Sequence, residues 1–312
     1  MAGSHATALV VGASRGIGRQ IGIDLANNGY AVMLAAKTTS DAQKTSPFSP
    51  DPNSSASTIN TVEREIREAG GEAASVVVDV RDAAQIQHAV AETVRRFGRL
   101  DVVIYNAGAI WWSSVENTPL KRFKLMQQIN PEGLYATVKA TLPYFEKNGG
   151  RGRIVVVSPP IYSRFFRGKT AYAMGKVGMS VLVKGLAMDF IRQGRGSMAI
   201  TGIWPASAIE SAATEFNRSE DAGKADLRKP TIFSDAIIAM LRAPAASVNG
   251  LLDTDEDFLR EQCGVTDFSK YSVIPGSTPR RIMPAKFPGL EVAEQEDEGN
   301  RMDSATARPT KI

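Results

Sequence analysis

Residues 6–11, Ala-Thr-Ala-Leu-Val-Val, run directly into Gly12-Ala13-Ser14-Arg15-Gly16-Ile17-Gly18. No other stretch limits the fold as tightly. Six mainly apolar residues are too few for a helix and read as a buried strand. Beyond the glycines, Ile21, Ile23, Leu25 and Ala26 predict a helix that ends near Asn27-Asn28-Gly29. The glycines therefore occupy a strand-to-helix turn. N–H groups at a helix N-terminus bind phosphate, and glycine lets the backbone approach a pyrophosphate where a Cβ would intrude. The spacing is Gly-x3-Gly-x-Gly, not the Gly-x-Gly-x2-Gly of the commonest dinucleotide turn. A lone glycine turn is often only a tight turn. Here the flanking strand and helix favour a cofactor, lined by Gly12, Ser14, Arg15, Gly16, Ile17 and Gly18.

The same alternation continues along the chain. Strands are predicted over residues 30–36, 74–80, 100–104, 153–158, 198–204 and 248–252. Helices are predicted over 59–69, 81–97, 123–130, 133–147, a stretch containing 172–190, and 231–241. Such alternation predicts an α/β fold with a doubly wound parallel sheet of about seven strands, in one domain over residues 1–283. Hydrophobic residues make up 43% of the chain, enough for the core of one large domain. Pro47, Pro50 and Pro52 make residues 39–57 a surface loop insertion. Residues 206–230 read as a substrate lid after a strand end. Residues 284–312 form a charged, polar tail, with disorder expected from about 293.

Chemistry gathers at strand ends, where open parallel sheets bind ligands. The second strand ends in Ala36-Lys37-Thr38. No carboxylate stands there to bind the ribose hydroxyls of NAD. Lys37 and Arg15 would instead meet a 2′-phosphate, so NADP(H) is expected over NAD(H). The plainer reading of Lys37 is a solvated loop residue. Asp79 and Val80 would face the adenine, although a turn or capping role suits Asp79 equally. Asn106-Ala107-Gly108 would bring backbone close to the cofactor, or form an ordinary turn. Trp111 and Trp112 suit an apolar substrate wall, lid packing or a partner surface. Asn130, if buried, would hold a water or pin backbone. Ser158 either faces a ligand or merely ends its strand. Tyr172 and Lys176 lie one helical turn apart on one face. An ammonium beside a phenol is expected to lower its pKa and create an acid/base for an alcohol or ketone oxygen.

Other functions fit poorly. The net charge of +4 is spread along the chain without a basic block interleaved with aromatics, so no nucleic-acid partner is expected. His5 and His88 are the only histidines, which argues against a His-rich metal site or a His-based triad. The single cysteine, Cys263, fits a reducing compartment. No apolar run reaches transmembrane length, and no leader pattern opens the chain. The ending Pro309-Thr310-Lys311-Ile312 is not a Ser-Lys-Leu address. The expectation is an intracellular protein, cytoplasmic by default, with mitochondrial and peroxisomal homes left open.

Taken jointly, Gly12-x3-Gly16-x-Gly18, Asn106-Ala107-Gly108, Asn130, Ser158 and Tyr172-x3-Lys176 resemble the short-chain dehydrogenase/reductase family in order and spacing, over residues 6–252. Ala35-Ala36-Lys37-Thr38, Asp79-Val80-Arg81-Asp82, Ser158-Pro159-Pro160, Trp204-Pro205 and Asp253-x-Asp255 are similar to its hydroxysteroid dehydrogenase-like branch. The resemblance implies a Rossmann-type fold and a homodimer or homotetramer. It implies hydride transfer between NADP(H) and a ketone or aldehyde/alcohol pair on an apolar small molecule. Tyr172 would be acid and base, with Lys176 lowering its pKa and binding the nicotinamide ribose. Ser158 would bond the substrate oxygen, Asn130 would hold a relay water, and Pro205 would lie near the nicotinamide carboxamide. Two positions depart from the pattern: Val11 replaces a frequent threonine, and Pro205-Ala206 replaces Pro-Gly. The contrasting reading is an idle NADP(H)-binding sensor or scaffold, because two prolines after Ser158 can misplace its hydroxyl.

Overall fold

The computed structural model describes residues 5–217 and 221–290. The predicted tail beyond 290 lies outside them. The strands are β1 (Thr7–Val11), β2 (Ala31–Ala36), β3 (Ala73–Val77), β4 (Val102–Tyr105), β5 (Gly152–Val157), β6 (Met198–Trp204) and β7 (Leu252–Thr254). They form one parallel sheet in the order β3-β2-β1-β4-β5-β6-β7. β1 is buried along its whole length, as an apolar run in the middle of a parallel sheet must be. Strand order reverses between β1 and β4, where Val11 pairs with Tyr105. That reversal opens a crevice at the C-terminal ends of these strands.

The helices are α1 (Gly16–Asn27), α2 (Ile59–Glu68), α3 (Ala83–Phe97), α4 (Leu120–Gln127), α5 (Gly133–Lys147), α6 (Thr170–Arg192), α7 (Asp221–Ala225), α8 (Thr231–Arg242), α9 (Ala245–Val248) and α10 (Asp255–Cys263). One face of the sheet is covered by α1, α2, α8 and α10 through Ile21, Leu25, Val62, Phe233, Ile237 and Phe258. The other is covered by α3, α5 and α6 through Ile86, Val90, Leu134, Val138, Met179 and Val183. The five inner strands thus bury both sides, which explains why they read as continuous apolar runs, whereas the edge strands β3 and β7 are only partly buried.

Several boundaries differ from expectation: the third strand ends at Val77 and not at 80, and α4 begins at Leu120 and not at 123. The last strand is Leu252–Thr254, not 248–252, because Ala245–Val248 is a turn of helix. Asn249 holds this junction with its side chain, accepting from Ile200 N–H (3.2 Å) and donating to Ala187 O (2.9 Å). Gly250 then turns the chain at φ 77°. The two helices expected before residue 147 run continuously. Pro131 lacks an N–H, and the ladder slips into one π turn, Gln128–Glu132, before α5 resumes. Asn130 sits at that slip.

Candidate active site

The glycine turn lies beside the end of β2: Gly12 N–H donates to Ala35 O at 2.7 Å. Two of its glycines are demanded by internal packing. A Cβ on Gly12, which has φ 90°, would stand 2.7 Å from Ala107 N, and one on Gly18 would stand 2.1 Å from Gly12 O. The turn is therefore pressed against Asn106-Ala107-Gly108, and Asn106 Nδ2 seals the contact by donating to Gly12 O at 3.0 Å. No side chain caps α1, so the first-turn N–H groups beyond Gly16, whose own N–H goes to Pro52 O, fit a phosphate group. Arg15 and Ile17 are half-buried there, and Ser14 is buried. The loop at 39–57 folds back onto this turn. Pro52 O accepts from Gly16 N–H (2.8 Å), and the Ser57 hydroxyl donates to Ser14 O (2.7 Å). Its one regular piece is a 3-10 turn, Ala42–Lys44.

At the far end of the crevice, exposed Lys37 stands 4.0 Å from Asp79. Half-buried Thr38 follows, and Val80 is buried. Both Asp79 oxygens accept from the Arg81 guanidinium, and one also accepts from Arg81 N–H. Those hydrogen bonds pull the Asp79 carboxyl down to about 2. Of its two sequence readings, the turn-forming one is visible in these bonds.

The centre is built by α6, β5 and the loop after β4. Tyr172 and Lys176 are both buried. Lys176 Nζ donates to Val157 O at 2.9 Å, and complete burial pushes its pKa down to about 7. Burial pushes the Tyr172 phenol up. That is opposite to the lowering expected from the sequence: desolvation sets the direction, and the Lys176 ammonium is bonded to a strand carbonyl. A Cβ on Gly108 would stand 3.4 Å from Lys176 Nζ and 3.5 Å from Asn130 Oδ1, so the three positions converge. Asn130 clamps the loop by accepting from Ala109 N–H (2.9 Å) and donating to Ala109 O (3.1 Å). Its amide is occupied in pinning backbone, one of its two sequence readings. Ser158 Oγ is fully buried without a hydrogen-bond partner among the described residues, and a Cβ on Gly202 would lie 2.9 Å from it.

The wall of the site is aromatic. Trp112 meets Tyr172 edge-on with ring centres 6.1 Å apart, and Phe165 lies 6.3 Å from Tyr172. Phe165 also packs edge-on against Trp204 at 5.8 Å, and Tyr162 packs against Phe287 at 5.7 Å. Sequence reasoning found the tryptophans of the loop. It missed Phe165, Tyr162 and Phe287, which come from separate segments and carry no local pattern.

It also missed what holds the turn after β6. Ala206 N–H donates to buried Asp255 Oδ1 at 2.8 Å, while Ala206 O accepts from Ile282 N–H (2.8 Å) and Met283 N–H (3.2 Å). Ser207 donates to Glu256 (3.0 Å), which pairs with buried Arg228 at 3.0 Å. Pro205-Ala206 is therefore fixed from the C-terminal segment. The signal was Asp253-x-Asp255 directly after a strand, with Arg228 as the unmatched cation.

The short chain dehydrogenase family model matches residues 53–221, more than half of the chain. The chain belongs to the short-chain dehydrogenase family. This short-chain dehydrogenase is 39% identical over 272 residues to hydroxysteroid dehydrogenase-like protein 2 of Danio rerio, covering 86% of the present chain and 61% of that one. It thus spans between about half and three-fifths of the length of the curated relatives it matches. The crystal structure of a short chain dehydrogenase from Mycobacterium thermoresistibile superposes with a TM-score of 0.76 at 34% identity, covering 91% of this chain and 98% of that one. A 7α-hydroxysteroid dehydrogenase complexed with NADH and 7-oxo glycochenodeoxycholic acid superposes with a TM-score of 0.64 at 25% identity, over 80% and 92% of the two chains. Within that family this chain falls in the hydroxysteroid dehydrogenase-like branch. No helix among the described residues is long and apolar enough to cross a membrane.

Proposed function

We propose that this chain is an NADP(H)-dependent oxidoreductase that interconverts a ketone or aldehyde and an alcohol on an apolar small molecule of steroid, lipid or secondary-metabolite type. The observation that carries the reading is Tyr172: its ring lies among Trp112 and Phe165, with Lys176 one turn along the same helix. NADP(H), when bound, supplies or accepts the hydride. The uncapped turn of Gly12, Ser14, Arg15, Gly16, Ile17 and Gly18 would hold its pyrophosphate. Lys37, Thr38, Asp79 and Val80 would border the adenosine, with Asn106, Ala107, Gly108 and Pro205 lining the crevice beyond. Tyr172 gives a proton to the carbonyl oxygen in reduction and takes one from the alcohol in oxidation. Lys176, one turn along, would bind the nicotinamide ribose, and Ser158 would offer its hydroxyl to the substrate oxygen. Asn130 keeps the loop at Ala109 in place against Lys176.

Cofactor choice rests on charge. Lys37 and Arg81 flank Asp79 at the far end of the crevice, and Arg15 stands in the glycine turn. Fluorescence titration at fixed ionic strength is expected to show tighter NADPH than NADH binding. Lys37→Ala is expected to weaken NADPH about tenfold and NADH less than about twofold. Tighter NADH binding by the parent chain would overturn the phosphate reading.

Assembly is proposed as a homodimer or homotetramer built on α5 and α6. Tyr135, Val181, Met188 and Ile191 are exposed on these helices, Ile191 to 71%. A light-scattering mass equal to one chain would contradict it.

A second reading, an idle NADP(H)-binding sensor or scaffold, draws on Ser158. Its hydroxyl is packed against Gly202, and Pro159, which follows it, is tied down by the Ser180 hydroxyl at 2.6 Å. Cofactor binding without turnover of any carbonyl substrate would favour that reading.

A further inference from the structure

Lys169 is the residue that precedes α6, three positions before Tyr172. Its ammonium lies 4.2 Å from the centre of the Phe165 ring and 5.6 Å from that of Trp112. Those are the two rings that flank Tyr172. The residue is half-buried, and it has no carboxylate partner among the described residues. The segment around it adds no acid: residues 159–176 contain Arg164, Arg167, Lys169 and Lys176 and neither Asp nor Glu.

Stability alone gives no reason for a lysine here. Burial lowers its pKa, which measures the cost of keeping the charge in place. The dipole of α6 disfavours a cation at this end. Contact with two ring faces recovers part of that cost, but a partly buried cation is ordinarily paired. An anion on the ligand would complete the site. One ammonium set against two ring faces matches a single negative charge on an otherwise apolar ligand, while the Arg164 and Arg167 side chains of the same segment are exposed. Arg122 on α4 is stacked on Trp111 at 4.7 Å.

We infer that the substrate is an apolar oxo acid, whose carbonyl meets Tyr172 while its remote carboxylate binds Lys169. This rests on the oxidoreductase reading given above and names its substrate class. Lys169 is then a specificity-determining residue, acting on binding and not on the proton transfer.

Two matched pairs test it: an oxo-steroid carboxylic acid and a long-chain oxo fatty acid, each beside its methyl ester. Binding to the full chain is measured by titration calorimetry, and NADPH-dependent turnover is measured in parallel, for the parent, Lys169→Met and Lys169→Arg. The parent is expected to favour acid over ester by about tenfold in Kd and in KM, with kcat alike for both. Lys169→Met is expected to bring the ratio to about one, and Lys169→Arg to keep most of it. A parent that binds acid and ester equally would overturn the inference, as would a preference that survives in Lys169→Met. The two failures are separable. Acid preference in binding without turnover sinks the oxidoreductase reading and keeps the anion site. Turnover of acid and ester alike keeps the oxidoreductase and removes the anion site.

Discussion

Replacing Tyr172 by phenylalanine is expected to lower ketone reduction by about a thousandfold while leaving NADPH affinity within about twofold. The substitution removes one oxygen and keeps the ring. The ring is what packs: it meets Trp112 and Phe165, and its hydroxyl has no hydrogen-bond partner among the described residues. No internal bond is therefore broken, and the fold has no reason to change. The loss should fall on kcat, since the phenol acts on the oxygen whose charge develops in the transition state. Steady-state kinetics beside fluorescence titration of NADPH reads both quantities. Retained turnover would refute the assigned acid/base.

The second large effect is on stability. Glu256→Ala is expected to destabilise the chain by about 3–5 kcal/mol, because it leaves the Arg228 guanidinium buried without its counter-charge. Both side chains are 8% exposed, and Arg228 is held rigidly by Phe268 O at 3.0 Å and Ser272 Oγ at 3.1 Å. It cannot swing out to water without breaking those bonds. Ser207 loses its acceptor at the same time. A melting temperature about 10 °C lower follows from such a loss in a domain of this size. A paired Arg228→Met and Glu256→Met chain should recover most of it, since an apolar pair can replace a buried ion pair. A single variant melting within about 2 °C of the parent would contradict the burial argument.

Local patterns carried much of the architecture. Apolar runs too short for helices marked the strands, and the Gly12–Gly18 turn marked where the first strand hands over to a helix. The strand boundary failed at 248–252 because Val248 and Leu251 look like strand residues. What decides there is tertiary: Asn249 bonds to Ile200 and Ala187, and pairing with β6 begins at Leu252. The purpose of the glycines was only half legible. Gly12 and Gly18 are required by contacts with Ala107 and with the turn's own carbonyl, which no reading of spacing can distinguish from room for a phosphate.

The site was legible where function needs particular residue types, and not where it needs neighbours. Tyr172, Lys176, Asn130 and Gly108 could be named from the chain, and the last three converge in space. The electrostatics could not. Proximity of Lys176 to Tyr172 predicts a lowered phenol, whereas burial raises it, and burial is a property of the whole fold. The aromatic wall and the fastening of Ala206 draw on residues 162 to 287, so they exist only once β6 and the C-terminal segment meet. Asp255 illustrates the limit. As a letter it is one more acid after a strand; in the structure it is buried, pushed up to about 7, and fastened to Ala206 and Glu256 N–H.

The central claim is that this crevice moves a hydride between a nicotinamide and a carbonyl carbon with Tyr172 managing the proton. It is tested most directly by tracing deuterium from NADPH labelled at nicotinamide C4 into the alcohol formed from a panel of apolar ketones, with and without carboxylates. The account predicts label on the carbinol carbon with the parent chain and none with Tyr172→Phe, although both bind NADPH. Equal labelling by the two chains would contradict it, as would NADPH bound by the parent with no label in any product.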